Sequence, residues 1–436
     1  MFRLLKYLAV FLLVIILLVT GLFLFSLESK PSVDISSAAQ VDKAESVKAL
    51  MYQLQDTLKY SENKQDITIT EEQLNSLVGF VQRAHHPFHG MAVVTPVSSQ
   101  IVVSYQLPSN PIGEYLNVEA SLLPSSGVAV EYVKIGSIAI SGDLALTILV
   151  KLANWYTDSD IATEFIQLID KVVMKDKSMV FTMLPLQSFL KSLSELGQDE
   201  INKEEEELRL ATAFYLRKVS ELSVSQRNTP QSLAKYMRPV FSLAKDRSTS
   251  DESAAMENKA AIMALAIYVG HYKFASLVGD VQPNPPQIVL PNAKAVLKSR
   301  DDLNQHFIYS AALNIYFGEA ISLAIGEFKE LMDRSDDGSG YSFVDLAADY
   351  SGIKFAKAAT NPKTARHLQD ILAVNLDEKL FFPDVSGLPE GLHKQEFERR
   401  FTEVDSPAYQ QMITFINQSV AELVIQKYAE FEGEAL

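Results

Sequence analysis

The residues best able to do chemistry in this chain lie between Arg300 and Gly352. Asp302 and His306 are one helical turn apart, a spacing that lets a carboxylate orient an imidazole. Gly326, Glu330 and Asp333 follow along one helix face, with Glu319 on the same line. Asp345 and Asp349 are again one turn apart. The Gly-rich turn Gly338-Ser-Gly340 folds the second helix back on the third, so that His306, Glu330, Asp333, Asp345 and Asp349 converge if the three helices pack together. His306, Glu330 and Asp345 are the candidate catalytic acid and base groups, and all five are candidate ligands for a divalent metal ion. Three readings stay open. The cluster can be a structural polar network that fixes helix register. It can be a metal or catalytic site, because buried like charges need a cation or protons to offset them. It can be a calcium loop, since Asp333-x-Ser335-x-Asp337-Gly338 fits the first half of an EF-hand, although position 12 is Val344 and Asp345 comes one residue late.

Other motifs carry less. His85, His86 and His89 cluster around Pro87, where a solvated turn competes with a metal or pH-sensing role. Ser232-Leu-Ala-Lys235 and Ser242-Leu-Ala-Lys245 match S-x-x-K, but no S-D-N-like or K-T-G element accompanies them, which favours helix surface. The sequence contains no G-x-x-x-x-G-K, G-x-G-x-x-G, H-E-x-x-H or G-x-S-x-G. There are no cysteines, which removes disulfides, thiolate metal sites and a lipidated Cys. The net charge of −15 argues against nucleic acid as a partner, because phosphate binding needs clustered Lys and Arg.

The elements that position these residues begin at an apolar run, Leu4–Phe25, interrupted only by Lys6. It is long enough to span a bilayer and lacks an A-x-A-like cleavage site, which favours an uncleaved anchor over a signal peptide. Arg3 and Lys6 precede it, so the positive-inside rule leaves the N-terminus in the cytoplasm and the rest outside. Residues 31–40 read as a linker and Val41–Tyr60 as a helix. Ile67–Thr70 reads as a strand, with Thr70-x-x-Gln73 capping a helix to about Val81. Strand patterns follow at Met91–Val97, Gln100–Leu107, Leu116–Leu122 and Val128–Ile140, then a helix at Leu144–Tyr156. Beyond residue 157 the 3.6-residue period dominates. Helices begin near Asp160 and Leu186, a strand is possible at Met179–Leu184, and an amphipathic helix runs from Glu204 to Leu222. The apolar segment Ala260–Val269 suits a buried helix. Pro283-Asn-Pro-Pro286 suggests a boundary near 285. Ser299–Asp333, Ser342–Ala359 and Pro407–Phe431 read as helices, the last capped by Ser406. The expected fold is α+β: an anchor at 1–30, an antiparallel-sheet domain at 31–156, and helical domains at 157–285 and 286–436.

Two resemblances accompany this reading. The pattern ITITEEQLNSLVGF, with the following strands and the VKIGSIAIS exit, is similar to YpmS-like exported domains over roughly residues 35–150, which implies an α+β domain. QHF at 305–307, GEFKELMD at 326–333 and GSGYSFVDLAADYSG at 338–352 resemble the YfiM-like predicted periplasmic lipoproteins. This chain departs from them in having a transmembrane run where they carry a lipidated Cys. The HF…E…D layout is also faintly similar to VanZ-like membrane proteins, which are polytopic. No resemblance supplies a reaction. The expectation is a single-pass inner-membrane protein with a periplasmic bulk, acting as a non-enzymatic module that binds an envelope lipid, cell-wall material or a protein partner. The alternative is a metal-assisted hydrolase of an envelope polymer, centred on His306, Glu330, Asp333, Asp345 and Asp349.

Overall fold

In the computed structural model the described residues are 20–196, 203–279, 281 and 290–430. The fold mixes helices with antiparallel sheets, and the chain forms two units, Met1–Asp199 and Glu200–Leu436. Most of the expected anchor over residues 4–25 lies outside the described residues.

In the first unit, residues 20–26 are helical (α1) and lead into β1 (Leu27–Glu28), which pairs with Leu116 and Tyr115. Residues 31–40, expected as a short linker, are tied to the sheet and enter a helix. The Ser32 and Val33 amides donate to Ser104 Oγ, Val33 is buried, and α2 (Ser37–Val41) begins at a Ser36 cap. Next come α3 (Glu45–Lys59), β2 (Gln65–Thr70) and α4 (Glu71–Ala84). The α4 start is the reciprocal cap expected: Thr70 Oγ1 accepts from the Gln73 amide at 3.2 Å, and Gln73 Oε1 accepts from the Thr70 amide at 2.9 Å. Then β3 (Phe88–Val94), β4 (Ser99–Gln106), β5 (Tyr115–Leu123), the short β6 (Ser125–Ser126), β7 (Ala129–Ile135) and β8 (Ile138–Ser141) follow. β3-β4-β5-β7-β8 form one antiparallel sheet in sequence order, apart from the short β6, with β1 on β5. The expected single strand at 128–140 is split by a turn at Gly136, whose φ of 55° favours glycine.

The unit continues past residue 156 through α5 (Gly142–Thr157), α6 (Ile161–Leu168), β9 (Ile169–Lys175), β10 (Ser178–Met183) and α7 (Gln187–Leu196). β10 pairs with both β2 and β9, and β6 adds to β9, closing a second antiparallel sheet. Ile67, Val94, Leu168, Val172, Met174 and Met179 form its core. The expected boundary at 156 therefore falls inside a unit, because strands on both sides of it share a sheet.

The second unit is mainly helical. It comprises α8 (Lys203–Ser220), β11 (Gln231–Ser232), α9 (Leu233–Arg247), α10 (Asp251–Leu265), α11 (Ala275–Val278), β12 (Ala295–Val296), α12 (Asp301–Met332), α13 (Phe343–Thr360), α14 (Pro362–Leu372), α15 (Lys394–Phe401), α16 (Pro407–Ala421) and α17 (Val424–Glu430). β11 and β12 make a two-residue parallel pair. The buried helix expected from Ala260 to Val269 is α10 with the π turn 266–270 that ends it. Asn258 of α10 donates to the carbonyls of Ala359 and Ala365, so residues before and after 285 share one core and the expected boundary there is not where the chain divides. The expected helix at 407–431 is instead two, broken at Glu422-Leu423.

Among the described residues, α12 is the helix long and apolar enough to cross a membrane by length and composition. It is interrupted at Gly318 (φ 79°, ψ 174°); Leu303, Phe307, Ile308 and Leu331 on it are fully buried in the protein, whereas Phe317 and Ile321 beside the interruption are exposed. Its principal neighbour is α13. The two approach so closely that a Cβ on Gly352 would sit 2.0 Å from the Phe307 carbonyl oxygen. A Cβ on Gly326 would sit 2.6 Å from Asp349 Oδ2. These glycines are the sequence-level reason the two acidic helices meet.

Candidate functional site

The α12–α13 interface brings together four of the five expected side chains. Ligand atoms of His306, Glu330 and Asp345 lie within 4.8 Å of one another. Asp349 approaches the other edge of the imidazole, with Oδ1 3.0 Å from His306 Nδ1. An ionised carboxylate only accepts, so Nδ1 carries the proton and donates. Ser310 Oγ donates to the same oxygen at 2.6 Å. Asp349 therefore fixes the ring across the helix pair, and the expected role of Asp302 is corrected. Asp302 instead accepts from Arg300 Nη2 at 2.6 Å, because the guanidinium just before the helix reaches its first-turn carboxylate.

Asp333 is the second correction. It is not in the group of close ligand atoms, but forms an ion pair with Lys329 Nζ at 3.0 Å. The loop after it closes on backbone, with the Gly340 amide donating to the Asp333 carbonyl at 2.8 Å. Glu330 has a fully buried carboxylate. Oε2 accepts from the Ser342 amide at 3.0 Å, and Oε1 accepts from Lys329 Nζ at 2.8 Å. Ser342 Oγ in turn caps α13 by accepting from the Asp345 amide at 3.0 Å. Asp345 faces His306 Nε2 at 3.5 Å and Arg300 Nη2 at 3.5 Å.

The cations are what the acidic spacing alone did not reveal. Lys329 Nζ stands 2.8 Å from Glu330 Oε1, 3.0 Å from Asp333 Oδ2 and 3.3 Å from His306 Nε2. It occupies the mouth of the group, with its side chain 40% exposed. Arg300 bridges Asp302, Asp345 and Glu390. The signal was in the sequence: Lys329 precedes Glu330 and stands one turn before Asp333, and Arg300 flanks Asp302.

The electrostatics follow from burial against these charges. Burial disfavours the Glu330 carboxylate and, with Asp345 nearby, lifts its pKa to about 7 although Lys329 and His306 pull it down. Burial also raises Asp345, against the pull of His306 and Lys329. Burial alone would lower His306. The charge and hydrogen bond of Asp349, aided by Asp345, outweigh it and lift the imidazole to about 9. Two buried oxygens, Asp345 Oδ1 and Asp349 Oδ2, accept no hydrogen bond. His306 Nε2 has two mutually exclusive partners. As a lone pair it accepts from Lys329; as a protonated group it faces Asp345.

The other motifs take ordinary places. His85 Nε2 pairs with the Tyr105 hydroxyl and His89 Nδ1 meets Gln82 Nε2, and among the described residues the histidines of this turn do not belong to a group of three or more close ligand atoms. Ser232 caps α9 and donates to Glu378, and Lys245 pairs with Asp370. Comparison with family models, curated proteins and solved structures finds no match to this chain.

Proposed function

We propose that this is a single-pass membrane protein, anchored by Leu4–Phe25 with its bulk on the periplasmic side of an inner membrane, and that it acts as a non-enzymatic binding or assembly module of the envelope. The observation that carries the non-enzymatic reading is Lys329. Its ammonium stands where an ion bound by Glu330 and His306 would sit, so the buried carboxylates are offset by the protein's own Lys329, His306 and Arg300. The network then serves as a lock between α12 and α13. The anchor is supported by the apolar run and the preceding Arg3 and Lys6. The envelope setting is supported by the resemblance of residues 300–352 to the YfiM-like proteins.

One observation favours a second reading, the metal-assisted hydrolase. Glu330, near 7, is poised for proton transfer at neutral pH, and His306 is oriented by Asp349 as catalytic imidazoles are. A divalent ion there would have to displace Lys329. Metal analysis of the full-length chain, after isolation and again after dialysis against Zn²⁺, Mn²⁺ or Ca²⁺, separates the two. The binding module retains no stoichiometric metal, whereas one ion per chain, lost in His306→Ala, supports the hydrolase. A reporter active only outside the cytoplasm, fused after Leu436, should be active. An inactive reporter in a stable fusion refutes the topology.

A further inference from the structure

α5 carries an apolar face that its own unit leaves uncovered. Leu144, Ile148, Leu149, Leu152, Trp155 and Tyr156 are all exposed, from 44% at Ile148 to 86% at Tyr156. At 3.6 residues per turn they fall within an arc of about 140°. The opposite side is covered, with Leu146, Val150, Ala153 and Thr157 all partly buried, and the start of the helix is held tightly: a Cβ on Gly142, the first residue of α5, would sit 1.9 Å from the Val130 carbonyl oxygen of β7. The face is therefore fixed in direction by the sheet. Scattered exposed apolar residues need no explanation, but a contiguous helical face of six does.

We propose that this face of α5 rests in the interfacial layer of the bilayer that holds the anchor, giving the first unit a second membrane contact. The proposal rests on the reading of Leu4–Phe25 as that anchor. Three observations choose a lipid surface over a protein. The first is continuity. The anchor run ends at α1, whose last residue Ser26 lies against Gly136 in the β7–β8 turn, and β1 is paired into the same sheet. From Gly136 to Gly142 is six residues, at most about 20 Å of extended chain. The sheet that carries α5 is thus pinned where the chain leaves the membrane, and a tethered apolar face meets that membrane at high effective concentration.

The second is the residue types. Trp155 and Tyr156 close the helix, and these rings favour the headgroup level, where an apolar body and a polar tip are both satisfied. The third is length and charge. Sixteen residues carrying Asp143 and Lys151 are too short and too polar to span a bilayer but suit a helix lying in its surface. Asp143 and Lys151 cancel, so the contact is apolar and does not depend on anionic lipid.

Trp155 is the only tryptophan in the chain, which makes it a built-in probe. The full-length chain is reconstituted in phosphatidylcholine vesicles with and without lipid brominated at shallow acyl positions. The expected result is blue-shifted emission, quenched by the brominated lipid, shielded from iodide and unchanged by 0.5 M salt (roughly a 5 Å screening length). The Leu149→Asn and Leu152→Asn double variant, altered only at exposed positions, should float with the vesicles yet show unquenched, water-exposed emission. If the wild-type chain floats but Trp155 emits as a solvated indole without quenching, the α5 contact is overturned and the anchor stands. If the chain does not float, both fall. If Trp155 is shielded from iodide but untouched by brominated lipid, a protein surface, such as a second copy of this chain, covers α5 and the lipid assignment is overturned.

Discussion

Replacing Lys329 with Met removes the cation that the network supplies to Glu330 while keeping the length of the side chain. At 2.8 Å and an effective dielectric near 20, the Coulomb attraction alone would be about 6 kcal/mol. That figure is not what the variant loses, for two reasons. The lysine is 40% exposed, so water screens it. More decisively, Glu330 can escape by taking a proton. With its pKa near 7 in the intact network, ionised Glu330 is favoured over the neutral acid at pH 8.5 by about 2 kcal/mol. The variant can lose that much and little more, since beyond it the neutral acid takes over. At pH 6 Glu330 is already mostly protonated, and the loss should shrink to a few tenths of a kcal/mol, in the range of an exposed ion pair. For a unit of this size 2 kcal/mol is roughly a 4–8 °C drop in melting temperature. Circular dichroism melts at the two pH values read it, and hydrogen exchange of the peptide over 343–360 localises it. Trp155, in the other unit, serves as an internal control whose emission should not change. An equal loss at both pH values would refute the idea that Lys329 is the partner of ionised Glu330. A wild-type melt raised by stoichiometric Zn²⁺ would refute the larger claim that the protein supplies its own cation.

Two further predictions follow from the same geometry. His306 is raised from 6.5 to about 9 and Glu330 from 4.5 to about 7, so the stability they contribute is fully present below pH 4.5 and is lost as pH rises through 7 and then 9. Unfolding free energies from denaturant titration should fall between pH 5 and 9.5 by a few kcal/mol, the coupled pair giving less than the roughly 6 kcal/mol of two independent shifts, and Asp349→Asn should remove the upper part of that fall; a flat profile in the wild type contradicts the assignment. Gly352→Ala should cost about 1–3 kcal/mol, because the new methyl group meets the Phe307 carbonyl at 2.0 Å and α12 must move off α13; a urea midpoint unchanged from wild type would show that the helices are not in that contact.

How much of this was legible depended on whether the determining interactions were local. Thr70 and Gln73 announced the start of α4, and the alternation of β3, β4 and β5 announced a meander, because a cap and a hairpin are both decided by residues close in sequence. The second sheet was missed for the opposite reason. β2 at Gln65–Thr70 finds its partner at Ser178–Met183, and no period in either segment states that pairing. Asp302 was assigned to His306 by the one-turn rule, which counts neighbours within a helix and ignores competitors. Arg300 lay closer, and the carboxylate that reached the ring came from α13, made possible by glycines at 326 and 352.

The convergence of His306, Glu330, Asp345 and Asp349 was legible from spacing, but the cations beside them were not weighed, because the polar-network, metal and calcium-loop readings all rested on the acids and the histidine. Burying Glu330, Asp345 and Asp349 requires compensating positive charge of some kind. The requirement does not specify a metal, and three side chains of this protein meet it: Arg300 toward Asp345, Lys329 toward Glu330, and His306, lifted to about 9, toward Asp349. Lys329 and Arg300 are each long, flank an acid and sit near an end of α12. What makes them part of the site is that their charged heads, on partly exposed side chains, reach the buried carboxylates of Asp345 and Glu330. A cluster of acids that carries its own cations within about 4 Å is already neutral in effect. Its capacity for a further ion is then set by how readily Lys329 can leave, and that is a property of one side chain and not of the carboxylate count.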